Sequence, residues 1–221
     1  MEILYLKSVE STHTYLKNYI KNNSYTKPFC VTTQYQTQGI GSRDNSWNGV
    51  EGNLFFSFVI DKEMLPSDLP IQSSSIYFSF ILKELLVEHG SNVWLKWPND
   101  FYINDKKIGG TITNLSNDLL YCGIGLNLNF VEKQFGFLDV QIDIKDVLEE
   151  YFRRIEEEVL WKHIFSKYSI EFTKSKEYTT TIDNQNNSKS KKSSLKNATL
   201  NSDGSINIEN KKVFSLRWLK L

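Results

Sequence analysis

Apolar residues along this chain recur at two different spacings. Tyr15, Leu16, Tyr19 and Ile20 step by three and four behind Ser11-Thr12, which predicts a helix that either hydroxyl can cap. Phe29 to Tyr35 and Leu54 to Ile60 are dense in aromatic and branched side chains and predict two strands. Between them, residues 36–52 are polar and glycine-bearing, with no apolar period. That is longer than a hairpin needs, and loops of this kind often carry function. Ser73 to His89 predicts a long helix, capped at its start by serines and closed by Gly90, with Tyr77, Phe80, Ile81, Leu85 and Val87 on a broad apolar face.

Asn92 to Trp97, Phe101 to Ile103, Lys107 to Leu115 and Leu119 to Phe130 are short β-prone runs separated by turns such as Asn104-Asp105, an antiparallel meander. From Ile144 to about Phe172, Val147, Leu148, Tyr151, Ile155, Val159, Leu160 and Ile164 place one or two amphipathic helices at the end of the main domain. The fold class that follows is α+β: a mixed, largely antiparallel sheet packed against helices. Composition changes at Thr173, so residues 1–173 and 174–221 read as separate units. Ser, Thr, Asn and Lys dominate through Lys196, as in a disordered tail. Asn197 to Asn201, Ser205 to Glu209 and Val213 to Leu219 nevertheless favour three short strands, turning at Asp203-Gly204 and Asn210-Lys211, and hence a small β appendage.

Charge narrows the function. The 221 residues hold 26 Lys+Arg against 26 Asp+Glu, and zero net charge argues against a strongly nucleic-acid-seeking surface, since neutralising phosphates needs clustered cations. No apolar run is long enough to span a bilayer, and the opening Met1-Glu2-Ile3-Leu4-Tyr5 is not a signal peptide, so a cytoplasmic protein with no membrane partner is expected. Cys30 and Cys122 sit in apolar strand-like runs as inert core thiols. His13, His89 and His163 are not spaced as ligands, and no structural zinc is expected.

Four places could carry chemistry. Gly39-Ile40-Gly41-Ser42-Arg43, with Gln36 before it and Asn45 and Trp47 after, offers backbone N–H groups and a guanidinium to an anion; ordinary turn chemistry is the alternative. Lys96-Trp97-Pro98-Asn99-Asp100 presents Asn99 and Asp100 at a strand edge, where Asp100 could hold magnesium, or it is simply a Pro-Asn-Asp turn. In Lys106-Lys107-Ile108-Gly109-Gly110, strand alternation turns one lysine inward, and an inward lysine needs an anion. Gly123, Gly125, Asn127 and Asn129 share one strand face, with room for a ligand or for a closely packed helix.

Taken together, the order and spacing of these pieces resemble the biotin protein ligase family. The Ser11-Thr12-His13 opening is similar to its Ser-Thr-Asn, and Gln36 with Gly39-Ile40-Gly41-Ser42-Arg43 and Trp47 to its Gln-x-x-Gly-Arg-Gly-Arg loop. Lys96-Trp97-Pro98-Asn99-Asp100 followed by Lys107-Ile108-Gly109-Gly110 is the most specific match, and Gly123-Ile124-Gly125-Leu126-Asn127 resembles the strand that follows. Asn201 to Ser205 and Val213-Phe214-Ser215 look like the end of the family's small C-terminal β-barrel.

The resemblance implies a fold like that of class II aminoacyl-tRNA synthetases. It also implies an enzyme that makes biotinyl-5'-AMP from biotin and ATP with Mg2+, then transfers biotin to a lysine of a biotin carboxyl carrier protein. Lys107, Asp100 and Arg43 would be catalytic, with Asp100 on the magnesium. Ser11, Thr12, His13, Gln36, Gly39, Ile40, Gly41, Ser42, Lys107 and Gly110 would bind biotin. Arg43, Asn45, Trp47, Asn99, Lys107 and Asn127 would bind ATP. At the family's two loop arginines stand Ile40 and Ser42, and Asp44-Asn45 replaces its Gly-Arg continuation, which leaves Arg43 as the only loop arginine. No winged-helix domain is expected before Ser11, so this would be the short, monofunctional type. Lipoate or octanoate ligases and transferases share the fold and the lysine-acylation logic, and a biotin-binding scaffold that has lost catalysis is the non-enzymatic alternative. An exposed sheet edge would permit a homodimer.

Overall fold

The computed structural model describes residues 1–41, 46–47, 51–129, 134–183 and 190–214. Strand β1 (Glu2–Leu6) is followed by helix α1 (Thr12–Asn23), strand β2 (Phe29–Thr33), the two-residue strands β3 (Gly39–Ile40) and β4 (Ser46–Trp47), and β5 (Leu54–Asp61). Helix α2 (Ser74–Glu88) leads into β6 (Trp94–Lys96), β7 (Asp100–Ile103), β8 (Lys106–Ser116) and β9 (Leu119–Leu126), and then into helices α3 (Ile144–Glu156) and α4 (Trp161–Ser175).

Seven strands form one sheet in the order β1-β2-β5-β9-β8-β7-β6. β1 runs parallel to β2 and every other neighbouring pair is antiparallel, so the sheet is mixed and largely antiparallel. Alternation sends Phe56, Phe58, Cys122 and Ile124 to one face, where α2, α3 and α4 cover them; Phe58 meets Phe78 edge-on with ring centroids 4.9 Å apart. Leu16 and Ile20 of α1 pack on the opposite face against Val31, Val59 and Tyr121. That second face is covered only in part, and the uncovered stretch over β5, β9 and β8 is where a cleft opens. Cys30 and Cys122 are free and buried, and burial pushes both thiols well above their usual pKa.

The β6 edge is closed by side chains. Glu171 of α4 accepts the Leu95 N–H, and Ser175 Oγ accepts the Trp97 N–H at 2.9 Å, so this edge has little left to offer another strand. Within the segment that follows, the Trp97–Pro98 bond is cis.

Several details differ from the sequence expectation. β1 was not foreseen, because its five residues gain their place from pairing with β2 rather than from a pattern of their own. β9 stops at Leu126 instead of Phe130, because Asn53 Oδ1 accepts the N–H groups of Leu128 at 2.9 Å and Asn129 at 3.0 Å and takes over from the ladder. Within the biased segment, β10 (Thr179–Asp183) pairs antiparallel with β11 (Ser190–Ser194), where the composition suggests a disordered tail. β12 (Thr199–Leu200), β13 (Ile206–Ile208) and β14 (Lys211–Val213) form a three-stranded sheet. Its second turn falls at Glu209-Asn210, both at positive φ, one residue earlier than expected. These are two open sheets, and among the described residues no closed barrel forms. They pack on the main core through Leu195, Ala198, Ile206 and Ile208. The turn at Ser202–Gly204 is held from beneath by two indoles: Trp97 Nε1 donates to Gly204 O at 3.0 Å, and Trp161 Nε1 to Ser202 O at 2.8 Å.

Candidate active site

A cleft of about 390 Å³ lies on the open face of the sheet, between the start of α1, the β3–β4 hairpin and the β7–β8 pair. Its polar end is built from the first turn of α1. Ser11 caps that helix, its side chain accepting the Thr14 N–H at 3.4 Å. Gln36 Oε1 accepts from Thr12 N at 2.7 Å and from Thr12 Oγ1 at 3.0 Å, which fixes the amide orientation. With its only hydrogen spent there, the Thr12 hydroxyl accepts from Ser57 Oγ at 2.9 Å. His13 Nε2 lies 2.8 Å from Asn114 Oδ1. Burial first, and Lys17 second, push the pKa of His13 down to about 4, so the ring is neutral at ordinary pH.

Bare backbone floors this end. A Cβ on Gly123 would stand 3.1 Å from Ser57 Oγ and 3.3 Å from His13 Nδ1, and one on Gly125 would stand 3.2 Å from the Trp47 indole. Neither position has space for a side chain while those walls stay where they are.

The charged end comes from the β6–β7–β8 edge. Asp100 Oδ1 accepts from Lys107 Nζ at 2.6 Å and Oδ2 from Lys96 Nζ at 3.2 Å. Burial alone would raise the Asp100 pKa, but Lys107 and then Lys96 outweigh it and hold the carboxyl below its ordinary range. Two ammonium groups against one carboxylate leave this corner positive, with Lys107 on the cleft side and Lys96 at 8% side-chain exposure behind it. Gly110 completes the corner, and Lys107 Nζ lies 5.7 Å from the centroid of the Trp47 ring.

The structure thus brings Ser11, Thr12, His13, Gln36, Ile40, Gly41, Trp47, Asn99, Asp100, Lys107 and Gly110 around one cleft. Gly39 is buried in β3, paired with Trp47, and is not on its lining. Asn99 donates its side-chain amide to Thr111 O. Asn127 does not face the cleft: it is buried, its Nδ2 donating to Gly136 O at 3.0 Å, which ties down the segment carrying Phe135. Asn129 likewise leaves the glycine face, because β9 has ended and its Nδ2 turns to Gly52 O at 3.0 Å. Ser42, Arg43 and Asn45 lie outside the described residues. Sequence reading did not single out Ser57, Thr111, Ile112 or Phe135 as lining residues. Of these only Ser57 left a trace, a lone hydroxyl inside the apolar run Phe55-Phe56-Ser57-Phe58.

Magnesium held directly by Asp100 does not fit the residues present, because two ammonium groups already face its carboxylate, Lys107 Nζ at 2.6 Å and Lys96 Nζ at 3.2 Å, and their charge repels a dication. Among the described residues, no group of three or more His, Cys, Asp or Glu converges to hold a metal ion. No helix among them is long and apolar enough to cross a membrane.

Residues 5–129 match the family model described as Biotin/lipoate A/B protein ligase family. The crystal structure of biotin acetyl coenzyme A carboxylase synthetase from Helicobacter pylori, with bound biotinylated ATP, is 38% identical with a TM-score of 0.88, the match covering 96% of this chain and 99% of that one. The biotin protein ligase of Aquifex aeolicus, solved with biotin and ATP, is 24% identical with a TM-score of 0.73 and 99% coverage of both chains, a likeness of fold. The bifunctional ligase/repressor BirA of Bacillus spizizenii is 26% identical over 136 residues, 59% of this chain. The chain spans 29% to 41% of the length of the first curated relatives it matches.

Proposed function

Because this chain belongs to the Biotin/lipoate A/B protein ligase family, we propose that it uses ATP to join biotin to a lysine of an acceptor protein. The observation that carries this reading is a cleft with an uncharged polar pocket at one end and a net-positive Lys107–Asp100–Lys96 corner at the other. Such a cleft suits a small acid with a neutral polar ring, whose carboxylate must be brought beside a phosphate.

A carboxylate is a poor acyl donor, and two anions repel as they meet. In the first step a biotin carboxylate oxygen attacks the α-phosphorus of ATP; that O–P bond forms as the bond to the bridging oxygen breaks, and pyrophosphate leaves. In the second, an acceptor lysine nitrogen attacks the acyl carbon, the C–O bond of the mixed anhydride breaks, AMP leaves, and the ammonium proton passes to solvent. Lys107 supplies positive charge where negative charge gathers, and Asp100 holds it there. The rest is positioning. Ser11, Thr12, His13 and Gln36 hold the ring, Ile40 and Gly41 wall it in, and Gly110 makes room beside Lys107. Trp47 and Asn99 take the nucleotide side, to which Arg43 and Asn45 are also assigned, and Ser42 is assigned to biotin. Asn127 acts at one remove, through the segment it ties down. Magnesium accompanying the nucleotide would be held by phosphate oxygens and water.

For the acceptor, the reading takes a biotin carboxyl carrier domain. The test is pyrophosphate release on adding biotin and MgATP, with lipoate as the competing acid. Release with biotin and none with lipoate supports the reading; no release with biotin overturns it.

A further inference from the structure

The two ring nitrogens of His13 have unequal surroundings. Nε2 lies 2.8 Å from Asn114 Oδ1 on β8. Nδ1 is buried without a hydrogen-bond partner among the described residues and stands over the bare backbone of Gly123, where a Cβ would come within 3.3 Å of it. A neutral imidazole has one N–H and one lone pair, and a carboxamide oxygen only accepts. Nε2 therefore carries the hydrogen and Nδ1 the lone pair. His13 is only 9% exposed, and an acceptor orphaned at that depth is costly until a donor reaches it.

The groups facing the ring keep it uncharged. Lys17 of α1 repels a proton on it, Tyr121 of β9 meets it edge-on with centroids 6.4 Å apart, and Ser57 and Ile112 flank Gly123 beside it; none of these is a carboxylate. We infer that Asn114 is a positioning residue, holding His13 as the Nε2–H tautomer so that Nδ1 accepts a hydrogen bond from a ring N–H of the ligand. This rests on the biotin reading, since the fused urea ring of biotin offers two N–H donors. It adds a means of selection: an acid whose ring lacks an N–H leaves Nδ1 buried and unpaired, and sites built in this way discriminate strongly.

The test uses the full chain labelled with ¹⁵N-histidine, the His13 signals being assigned by their loss in His13→Gln. Nε2 should show the protonated nitrogen shift and Nδ1 the lone-pair shift, and the Nδ1 signal should move on adding biotin. By calorimetry, Asn114→Leu, which has no acceptor, should bind biotin about tenfold more weakly at every pH. Asn114→Asp keeps an acceptor but brings a carboxylate that raises the His13 pKa. It should match wild type at alkaline pH and lose affinity as the ring protonates, a profile that a merely structural role would not produce. A protonated Nδ1 in the biotin complex, or Asn114→Leu within twofold of wild type, overturns the inference. Should Asn114→Leu not fold, the wild-type spectra and the Asn114→Asp profile decide. Silence of the wild-type chain toward biotin is a different failure: it removes the biotin reading itself, and this assignment with it, before any variant is compared.

Discussion

Asp100 and Lys107 meet at 2.6 Å across the β7–β8 turn, seven positions apart in the chain. The hairpin carries the two side chains to one corner, and Lys96 reaches the same carboxylate from the other side at 3.2 Å. The lysines are not equivalent, because Lys107 is on the cleft lining and Lys96 is not.

Lys107→Met should leave the fold intact and slow pyrophosphate release by about 10² to 10³-fold, the usual effect of removing one charge-stabilising donor. Single-turnover measurement with biotin and ATP checks this. Loss of less than about threefold would remove Lys107 from the chemistry.

Asp100→Asn leaves two ammonium groups, one almost buried, without a counter-charge, and should cost about 3 kcal/mol of stability near neutral pH. The folded pKa of Asp100 lies below its unfolded value. Its contribution is therefore complete above the unfolded carboxylate range of about 4 and is lost as pH falls through the folded value. Denaturant unfolding of both proteins across acid pH should show the gap between them closing.

His13 should make the protein less stable in mild acid. Its folded pKa is about 4 against 6.5 unfolded, so the unfolded chain takes up the proton first. The stability linked to this ring is complete above about 6.5 and declines down to about 4, by up to about 3 kcal/mol. His13→Gln should flatten that part of the pH–stability curve.

Gly123→Ala puts a methyl within 3.1 to 3.3 Å of Ser57, Ile112 and His13, at the floor of the polar pocket. Ligand affinity should fall by about tenfold, with the cost to folding limited to about 1 to 3 kcal/mol. Calorimetry with biotin and thermal unfolding separate the two effects. Unchanged affinity would mean that the ligand does not reach this floor.

Much of this architecture was legible in the sequence because it is local. The serine that caps α1, the run of aromatic and branched side chains in β5 and the turn residues between β7 and β8 each act within a few positions of the structure they set, whereas Ser73 ahead of α2 makes no side-chain cap and donates its hydroxyl to Asp203 O instead. The same holds at the charged corner: Lys96, Asp100 and Lys107 belong to one hairpin edge, so a strand register suffices to bring them together. What was not legible comes from distant partners. β1 has its place through β2, and the polar β10 and β11 have theirs through each other. Ser57 and Asn114 enter the site through bonds to Thr12 and His13, which lie 45 and 101 positions away. Asn127 shows the converse: strand alternation put it on the face of Gly123 and Gly125 and the resemblance gave it to ATP, but β9 ends one residue before it and its amide is spent on Gly136.

The two indoles beneath the Ser202–Gly204 turn bear on how the molecule comes apart. Trp97 stands two residues from Asn99 and three from Asp100, yet its N–H is committed to Gly204, while Leu195, Ala198, Ile206 and Ile208 lie in the same apolar cluster as Phe58 and Tyr151. The change in composition at Thr173 is thus not expected to be a boundary of cooperativity. A single calorimetric transition is expected, and a cut after Ser175 would cost the β7–β8 hairpin its backing and the rest of the chain part of its core.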